Sequence, residues 1–78
     1  MKTVDKQIDN IKYKLSLKLA MYRKRHGLTQ QQMSDICNIN QAKYSQIENG
    51  KYQGMTVDYL IRINYMAKTG LKLINLAE

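Results

Sequence analysis

The side chains of this 78-residue chain that could do chemistry cluster in segment 41–49, whose pattern predicts a short helix. We expect Tyr44 and Ile47 to point inward from it. The outward face would present Gln41, Ala42, Lys43 and Gln46. Glutamine can pair with adenine, lysine can donate to guanine, and alanine can contact a thymine methyl group. That face therefore suits contact with the edges of nucleic acid bases.

Residues 29–50 as a whole predict two short helices joined by a tight turn. Thr29 and Gln32 form a T-x-x-Q capping box, which satisfies the free N–H groups at the start of a helix. Asn38 tolerates the left-handed conformation that reverses the chain at a helix end. Asn40 is a good N-cap for the second helix. A second helix held across a first one by a turn is the layout of a DNA-reading helix-turn-helix.

These residues resemble the Cro/CI-type (Xre) helix-turn-helix family of phage repressors, bacterial regulators and antitoxins. The resemblance is carried by L-T-Q at 28–30, by Ser34 within the first helix, and by I-E-N-G-K at 47–51. It extends over roughly Leu15 to Leu73. It implies an all-α, lambda-repressor-like bundle of four main helices, with DNA binding as the function and neither enzymatic activity nor a cofactor.

The resemblance also assigns roles to single positions. Gln41, Ala42 and Gln46 match the base-reading sites of the family, and Lys43 contacts either a base or a phosphate. The residues expected at the phosphate backbone are Thr29, Gln30, Tyr44, Asn49, Lys51 and Tyr52. Tyr52 suits packing equally well.

Two positions depart from the family pattern. Asn38 replaces a glycine common in the turn, which a left-handed asparagine tolerates. Tyr44 replaces the usual valine or isoleucine of a core site, so we expect its hydroxyl to reach the surface. Neither departure breaks the motif.

In the family pattern an arginine late in the first helix pairs with the glutamate of E-N-G. The matching residues are Arg23 and Glu48, and we expect them to tie two helices together. The alternative is that Arg23 belongs to a basic surface run with Lys24 and Arg25.

Length and composition limit the classes of protein and the kinds of site that this chain can form. The chain has the length of one small domain, a formal net charge of +7, no proline and a single cysteine. The charge favours a polyanionic partner such as nucleic acid. No stretch predicts a signal peptide or a membrane span, so we expect a cytoplasmic protein. One histidine, His26, and one cysteine, Cys37, cannot supply the three or four ligands of a zinc site.

The segment before the motif predicts a long helix from about Thr3 to Arg25. An apolar stripe runs along it at spacings of three and four, through Val4, Ile8, Ile11, Leu15, Leu19 and Tyr22. The family fold needs only the second half of this helix. Residues 1–14 are thus an extension, and their stripe packs either on the same subunit or on a partner chain.

After the motif, Thr56 should cap a fourth helix from Val57 to about Lys68, which Gly70 should end. The remaining apolar residues predict a strand over 71–76, with Leu71 and Leu73 on one face and Ile74 and Leu76 on the other. A lone strand is unstable in a helical subunit, so we expect it to pair with its copy in a homodimer.

The expected function is sequence-specific binding of double-stranded DNA, most simply as a repressor at a palindromic operator. One alternative is an antitoxin, which represses its own operon and also neutralises a toxin protein. Another is a protein-binding adaptor that keeps the fold, against which the glutamine-rich outward face argues.

Overall fold

The described part of the chain is entirely helical. A computed structural model describes residues 2–77, with side chains described for residues 4–74. Its helices are α1 (Lys2–Arg25), α2 (Gln30–Ile36), α3 (Gln41–Glu48) and α4 (Val57–Ala77). An all-α helix-turn-helix bundle is therefore present, and the described residues contain no strand.

Local hydrogen bonds set the ends of the two short helices. The Thr29 hydroxyl accepts the N–H of Gln32 at 3.1 Å, and the Gln32 side chain accepts the N–H of Thr29 at 2.9 Å. The side chain of Asn40 accepts the N–H of Lys43 at 2.7 Å. Between the helices Asn38 takes a left-handed conformation with φ +58°. The predicted caps and turn are therefore formed.

One apolar core joins all the helices. Fully or almost fully buried are Leu19, Met33, Cys37, Tyr44, Ile47, Leu60, Ile63, Ala67 and Leu71. The long helices α1 and α4 run side by side, and the Asn64 amide donates to the carbonyl of Leu15 at 3.0 Å. Helices α2 and α3 pack across this pair, with Ile39 of the turn against the core. A rigid base thus supports α3.

The predicted C-terminal strand is wrong, because residues 71–76 continue α4. The buried residues Leu60, Ile63, Ala67 and Leu71 follow spacings of three and four, which is helical periodicity. Leu71 therefore belongs to the core of its own subunit and is not available to a partner. Leu73 and Ile74 are exposed on the helix surface. The side chain of Leu76 lies outside the described residues.

Gly70 also has a different role from the one expected, since α4 runs through it. A Cβ atom at this position would lie 2.5 Å from Cγ2 of Ile36 on α2. The glycine therefore lets α4 approach α2 closely. Helix ends are instead formed at Gly27 and Gly50, whose φ angles are +65° and +80°.

The N-terminal extension continues α1 as a helix and leaves its apolar stripe uncovered. Val4, Ile8 and Ile11 are 54%, 37% and 44% exposed. Where the extension joins the bundle, the Lys12 ammonium donates to the carbonyl of Gln53 at 3.0 Å. None of the described helices is long and apolar enough to cross a membrane.

Candidate nucleic-acid interface

Helix α3 separates its side chains into a core face and a solvent face. Tyr44 and Ile47 are fully buried and fix the rotation of the helix about its axis. The opposite face is exposed and carries Gln41, Ala42, Lys43 and Gln46. These side chains are amide, methyl and ammonium groups, so the face can donate and accept hydrogen bonds without adding negative charge.

Lys43 is positioned by a residue that the sequence analysis did not single out. Its ammonium group lies 5.2 Å from the centre of the Tyr59 ring on α4, a cation–π distance. The ring holds the lysine at one edge of the exposed face of α3. The spacing between positions 43 and 59 carries no local signal, because the contact depends on how α4 packs.

Arg23 and Glu48 form an ion pair that joins α1 to the end of α3. The Arg23 Nε donates to one carboxylate oxygen of Glu48 at 2.7 Å, and Nη2 donates to the other at 2.9 Å. Arg23 also donates to the carbonyl of Leu28 at 3.0 Å. The two side chains are only 18% and 7% exposed. Such a two-pronged, partly buried pair fixes direction as well as distance.

A third side chain, from α2, is hydrogen-bonded to this ion pair. Gln30 donates from its amide to the Glu48 carboxylate at 3.1 Å. Glu48 on α3 thus contacts groups from both α1 and α2. Gln30 is half-buried and its side-chain amide is directed towards this carboxylate, while the expected phosphate contact remains a prediction.

The protonation of this cluster follows from its geometry. Burial alone would raise the pKa of Glu48, but the hydrogen bonds from Arg23 and Gln30, together with the nearby Tyr44 hydroxyl, outweigh it and lower the pKa below its ordinary value. The bond to Glu48 raises the pKa of Arg23. Both groups are therefore charged near neutral pH.

Tyr44 corrects one expectation from the sequence. Its ring is fully buried and its hydroxyl donates to the carbonyl of Leu19 at 3.3 Å, inside the bundle. Burial, followed by the neighbouring Glu48 carboxylate, raises the pKa of the phenol. The hydroxyl does not reach the surface, so a phosphate contact from Tyr44 does not fit this arrangement. The tyrosine replaces an aliphatic core residue by burying its polar end against a main-chain acceptor.

The geometry agrees with the comparison of the chain with known families. A family model described as a helix-turn-helix domain matches residues 2–74. The chain belongs to this Xre/Cro-like helix-turn-helix family. Searches among curated proteins and among solved structures return no match. Membership makes this helix-turn-helix protein a DNA-binding regulator, in a family that is typically non-enzymatic.

The helix-turn-helix is flanked by the other residues expected at the DNA backbone. Thr29, Asn49 and Lys51 lie at the start of α2 and after the end of α3, and the Lys51 side chain is exposed. Asn49 donates to the hydroxyl of Ser45 at 3.3 Å. Tyr52 is only 8% exposed and belongs to the core. Tyr52 was expected either to contact a phosphate or to pack in the core, and its burial fits packing.

The thiol and the imidazole of this helix-turn-helix protein lie apart from the exposed face of α3. Cys37 is buried, and burial raises the pKa of its thiol to about 12. One ring nitrogen of His26 contacts the carbonyl of Tyr22 at 2.9 Å, at the end of α1. In the part of the chain that the structure describes, no three His, Cys, Asp or Glu side chains gather as metal ligands would.

Proposed function

We propose that this protein is a transcriptional repressor that reads a palindromic operator as a homodimer. The observation that carries the proposal is the exposed face of α3, with Gln41, Ala42, Lys43 and Gln46 held outward by a buried face. Gln41 and Gln46 would read adenine edges and Ala42 a thymine methyl group. Lys43 would act at the edge of the same surface.

Backbone contacts would set how α3 enters the major groove. Thr29, Gln30, Asn49 and Lys51 lie at the start of α2 and after α3, on either side of the recognition helix. Lysine contacts to phosphates release counterions and so make affinity salt-dependent. A net charge of +7 adds long-range attraction to DNA.

The dimer follows from the size of one reading face. One α3 of eight residues offers few base contacts, and helix-turn-helix proteins read longer sites by placing two such helices about one DNA turn apart. The exposed stripe of Val4, Ile8 and Ile11 on α1 supports a subunit interface there. By helical spacing it is flanked by Asp5 and the neutral Gln7 and, near Ile11, by Lys12 and Lys14. The ammonium group of Lys12 is bonded to the carbonyl of Gln53, so charges of both signs border the stripe.

An antitoxin is the second candidate, and the same stripe favours it. Val4, Ile8 and Ile11 would then be covered by a toxin protein instead of a second copy. DNA reading by α3 would be unchanged. Sedimentation of the pure protein separates the two candidates, because a chain that stays monomeric at operator-binding concentrations leaves the stripe free for a different partner.

A nuclease footprint on the DNA upstream of the protein's own gene tests the repressor. We expect protection of two half-sites related by a two-fold axis, with centres about 34 Å apart along the helix or a multiple of that distance. Expression of a reporter gene placed downstream of this DNA should fall when the protein is present. Uniform protection without any preferred site, at a salt concentration of about 0.15 M, would contradict sequence-specific repression.

A further inference from the structure

A groove runs between α1 and α4 on the part of the molecule that α2 and α3 leave open. It consists of two adjoining depressions with volumes of about 260 Å³ and 180 Å³, which share Tyr22 and Lys68. We call it the α1–α4 groove. Its apolar surface is formed by Leu15, Tyr22, Ile61, Tyr65 and Leu71. None of its lining residues comes from α2 or α3.

The rim of this groove is basic. Lys18 and Arg25 project from α1, and Lys68 and Lys72 project from α4. All four are exposed, and no acidic side chain is among the described residues that line the two depressions. An apolar floor between two rows of positive charge selects for an occupant with apolar groups in the middle and negative charges at its edges.

The shape of the groove favours a chain segment over a small molecule. Small-molecule sites are clefts or cavities of roughly 300–1,000 Å³ that bury most of their ligand. Each depression alone is smaller than this, and both are too open to solvent to enclose a ligand. Large apolar groups stand out of the groove, with Ile61 50% and Tyr65 70% exposed. Such open surfaces receive amphipathic helices.

Charge argues against a second copy of this chain as the occupant. Any symmetric pairing through the groove would bring Lys18, Arg25, Lys68 and Lys72 against the same four groups of the other copy. Like charges facing each other across an interface are unfavourable. The N-terminal stripe of Val4, Ile8 and Ile11 is bordered by Asp5 and Gln7 as well as by Lys12 and Lys14, so its charge is mixed and the two surfaces differ in the partner they suit.

We propose that the α1–α4 groove binds an acidic amphipathic helix of another protein. From Leu15 to Arg25 the groove follows about three turns of α1, at a rise of about 1.5 Å per residue. Apolar side chains of the partner helix would contact Tyr22, Ile61 and Tyr65, and its carboxylates would pair with the lysines of the rim. Because α3 takes no part, DNA and the acidic partner can be bound at the same time.

A pair of designed peptides tests this proposal on the full chain. The acidic probe is a labelled peptide of about four helical turns, with leucines at positions i, i+3, i+4 and i+7 and glutamates elsewhere. The basic probe has lysine in place of every glutamate. A third peptide has the composition of the acidic probe in an order that destroys the apolar face. Fluorescence anisotropy gives the affinity, and amide chemical shifts in NMR spectra locate the bound peptide.

Paired variants separate the groove from general attraction to a basic protein. Lys18→Glu with Lys68→Glu reverses charge at the rim, whereas Lys6→Glu with Lys14→Glu makes the same change in net charge on exposed positions of α1 outside the groove. We expect the rim variant to bind the acidic probe roughly tenfold more weakly than wild type, and the control variant to change this affinity much less. Tyr65→Ser should also lower the affinity for the acidic probe, without changing the net charge of the protein. Thermal unfolding checks that each variant is folded.

The outcomes decide for or against the groove. Binding of the acidic probe with shifts at Leu15, Tyr22 and Ile61, together with weak binding of the other two peptides, supports the proposal. Equal weakening by the two charge-reversal variants would overturn it, as would equal binding of the scrambled peptide. Self-association that is lost in Tyr65→Ser would also overturn it, by showing that a second copy occupies the groove. DNA binding by Tyr65→Ser should be unchanged, so this proposal can fail while the repressor stands.

Discussion

Glu48 is the residue through which α1, α2 and α3 meet. Its carboxylate accepts hydrogen bonds from Arg23 on α1 and from Gln30 on α2, at distances of 2.7 to 3.1 Å. Because Glu48 is the last residue of α3, these bonds fix the end of this helix next to Asn49 and Lys51. A change at this one carboxylate should therefore alter both stability and the placement of the residues that we propose to contact DNA.

Replacement of Glu48 by glutamine should destabilise the fold in a pH-dependent way. At pH 7 we expect a loss of roughly 2–4 kcal/mol, because the partly buried Arg23 is left without a countercharge. The pKa of Glu48 is lowered in the folded state. Its contribution is thus complete above its ordinary pKa of about 4.3 and is lost as the pH falls through the lowered value. Urea unfolding of the two proteins between pH 7 and pH 3 measures this.

Asp35→Asn is the matched control, since it neutralises an exposed acid on α2 whose side chain bonds to Gln31. It should change the free energy of unfolding by a few tenths of a kcal/mol. The difference between wild type and Glu48→Gln should shrink towards pH 3. A constant difference at all pH values would show that the carboxylate charge does not matter.

Lys51→Ala tests the backbone contact expected after α3. The lysine is exposed and follows Gly50, the left-handed residue just beyond the end of α3. Its loss should weaken binding to every DNA sequence and reduce the slope of log K against log salt by about one unit. Lys6→Ala is the control, because it removes an exposed lysine of α1 that is distant in sequence from Lys51. An unchanged salt slope in Lys51→Ala would remove this residue from the phosphate contacts.

At the scale of helices, α4 determines where the other elements sit. It buries Leu60, Ile63, Ala67 and Leu71 against the bundle and places Tyr59 beneath Lys43. Its contact with α2 depends on Gly70, which lies against Ile36. The same helix thus supports both α2 and the exposed edge of α3.

Gly70→Ala should destabilise the protein by roughly 1–3 kcal/mol, even though alanine favours a helix over glycine by about 1 kcal/mol at an open site. The added Cβ would stand 2.5 Å from Cγ2 of Ile36, so either the Ile36 side chain would have to move or the two helices would have to separate. Thermal unfolding measures the change. Gly54→Ala is the control, because no other group lies within 4 Å of the place that its added methyl group would occupy.

The second variant Ile36→Leu should restore part of the stability of Gly70→Ala, since leucine has no branch at Cβ. A stabilised Gly70→Ala would instead mean that α4 and α2 do not approach this closely.

Local signals in the sequence predicted most of the elements. Capping residues and the left-handed Asn38 act over a few residues, so the helix-turn-helix could be placed before any tertiary contact was known. The structure of residues 71–76 could not be predicted in this way, because a short, mainly apolar segment fits both a strand and a helix. The choice was made by packing of Leu71 in the core and of Gly70 on Ile36, which are contacts distant in sequence.

The same limit applies to the candidate site. The exposed face of α3 follows from the helical period and from two buried residues, Tyr44 and Ile47. Contacts that depend on how helices pack were not visible in the sequence. They include the cation–π contact of Lys43 with Tyr59 and the bond from the Tyr44 hydroxyl to Leu19.

At the scale of the whole molecule, the described chain is an elongated body of 47 × 22 × 18 Å with apolar side chains at its surface. The proposed reading face lies on α3, the uncovered stripe on the N-terminal part of α1, and the α1–α4 groove between the long helices. These surfaces come from different parts of the bundle. Dimerisation, DNA reading and partner binding can therefore be separated by mutation.

Ile8→Asp should shift the proposed homodimer to monomer. The residue is in the middle of the exposed stripe, and a charge there would be buried in the interface without a partner. Sedimentation at several concentrations measures the change, and operator binding should weaken with it. Met21→Asp places the same charge on another exposed apolar residue of α1, outside the stripe, and should remain dimeric. An Ile8→Asp protein that dimerises as wild type would place the interface elsewhere.

The most direct test of base reading by α3 is to measure DNA affinity after removing the amides of Gln41 and Gln46. Gel-shift titrations would compare wild type, Gln41→Ala, Gln46→Ala and the control Asn10→Ala, which removes an exposed amide of α1 away from the stripe, on the footprinted site and on a scrambled duplex. We predict that each α3 variant loses about 1–3 kcal/mol on the specific site and almost nothing on scrambled DNA, while Asn10→Ala matches wild type. Equal losses on the two DNAs, or no loss on either, would contradict the claim that α3 reads bases.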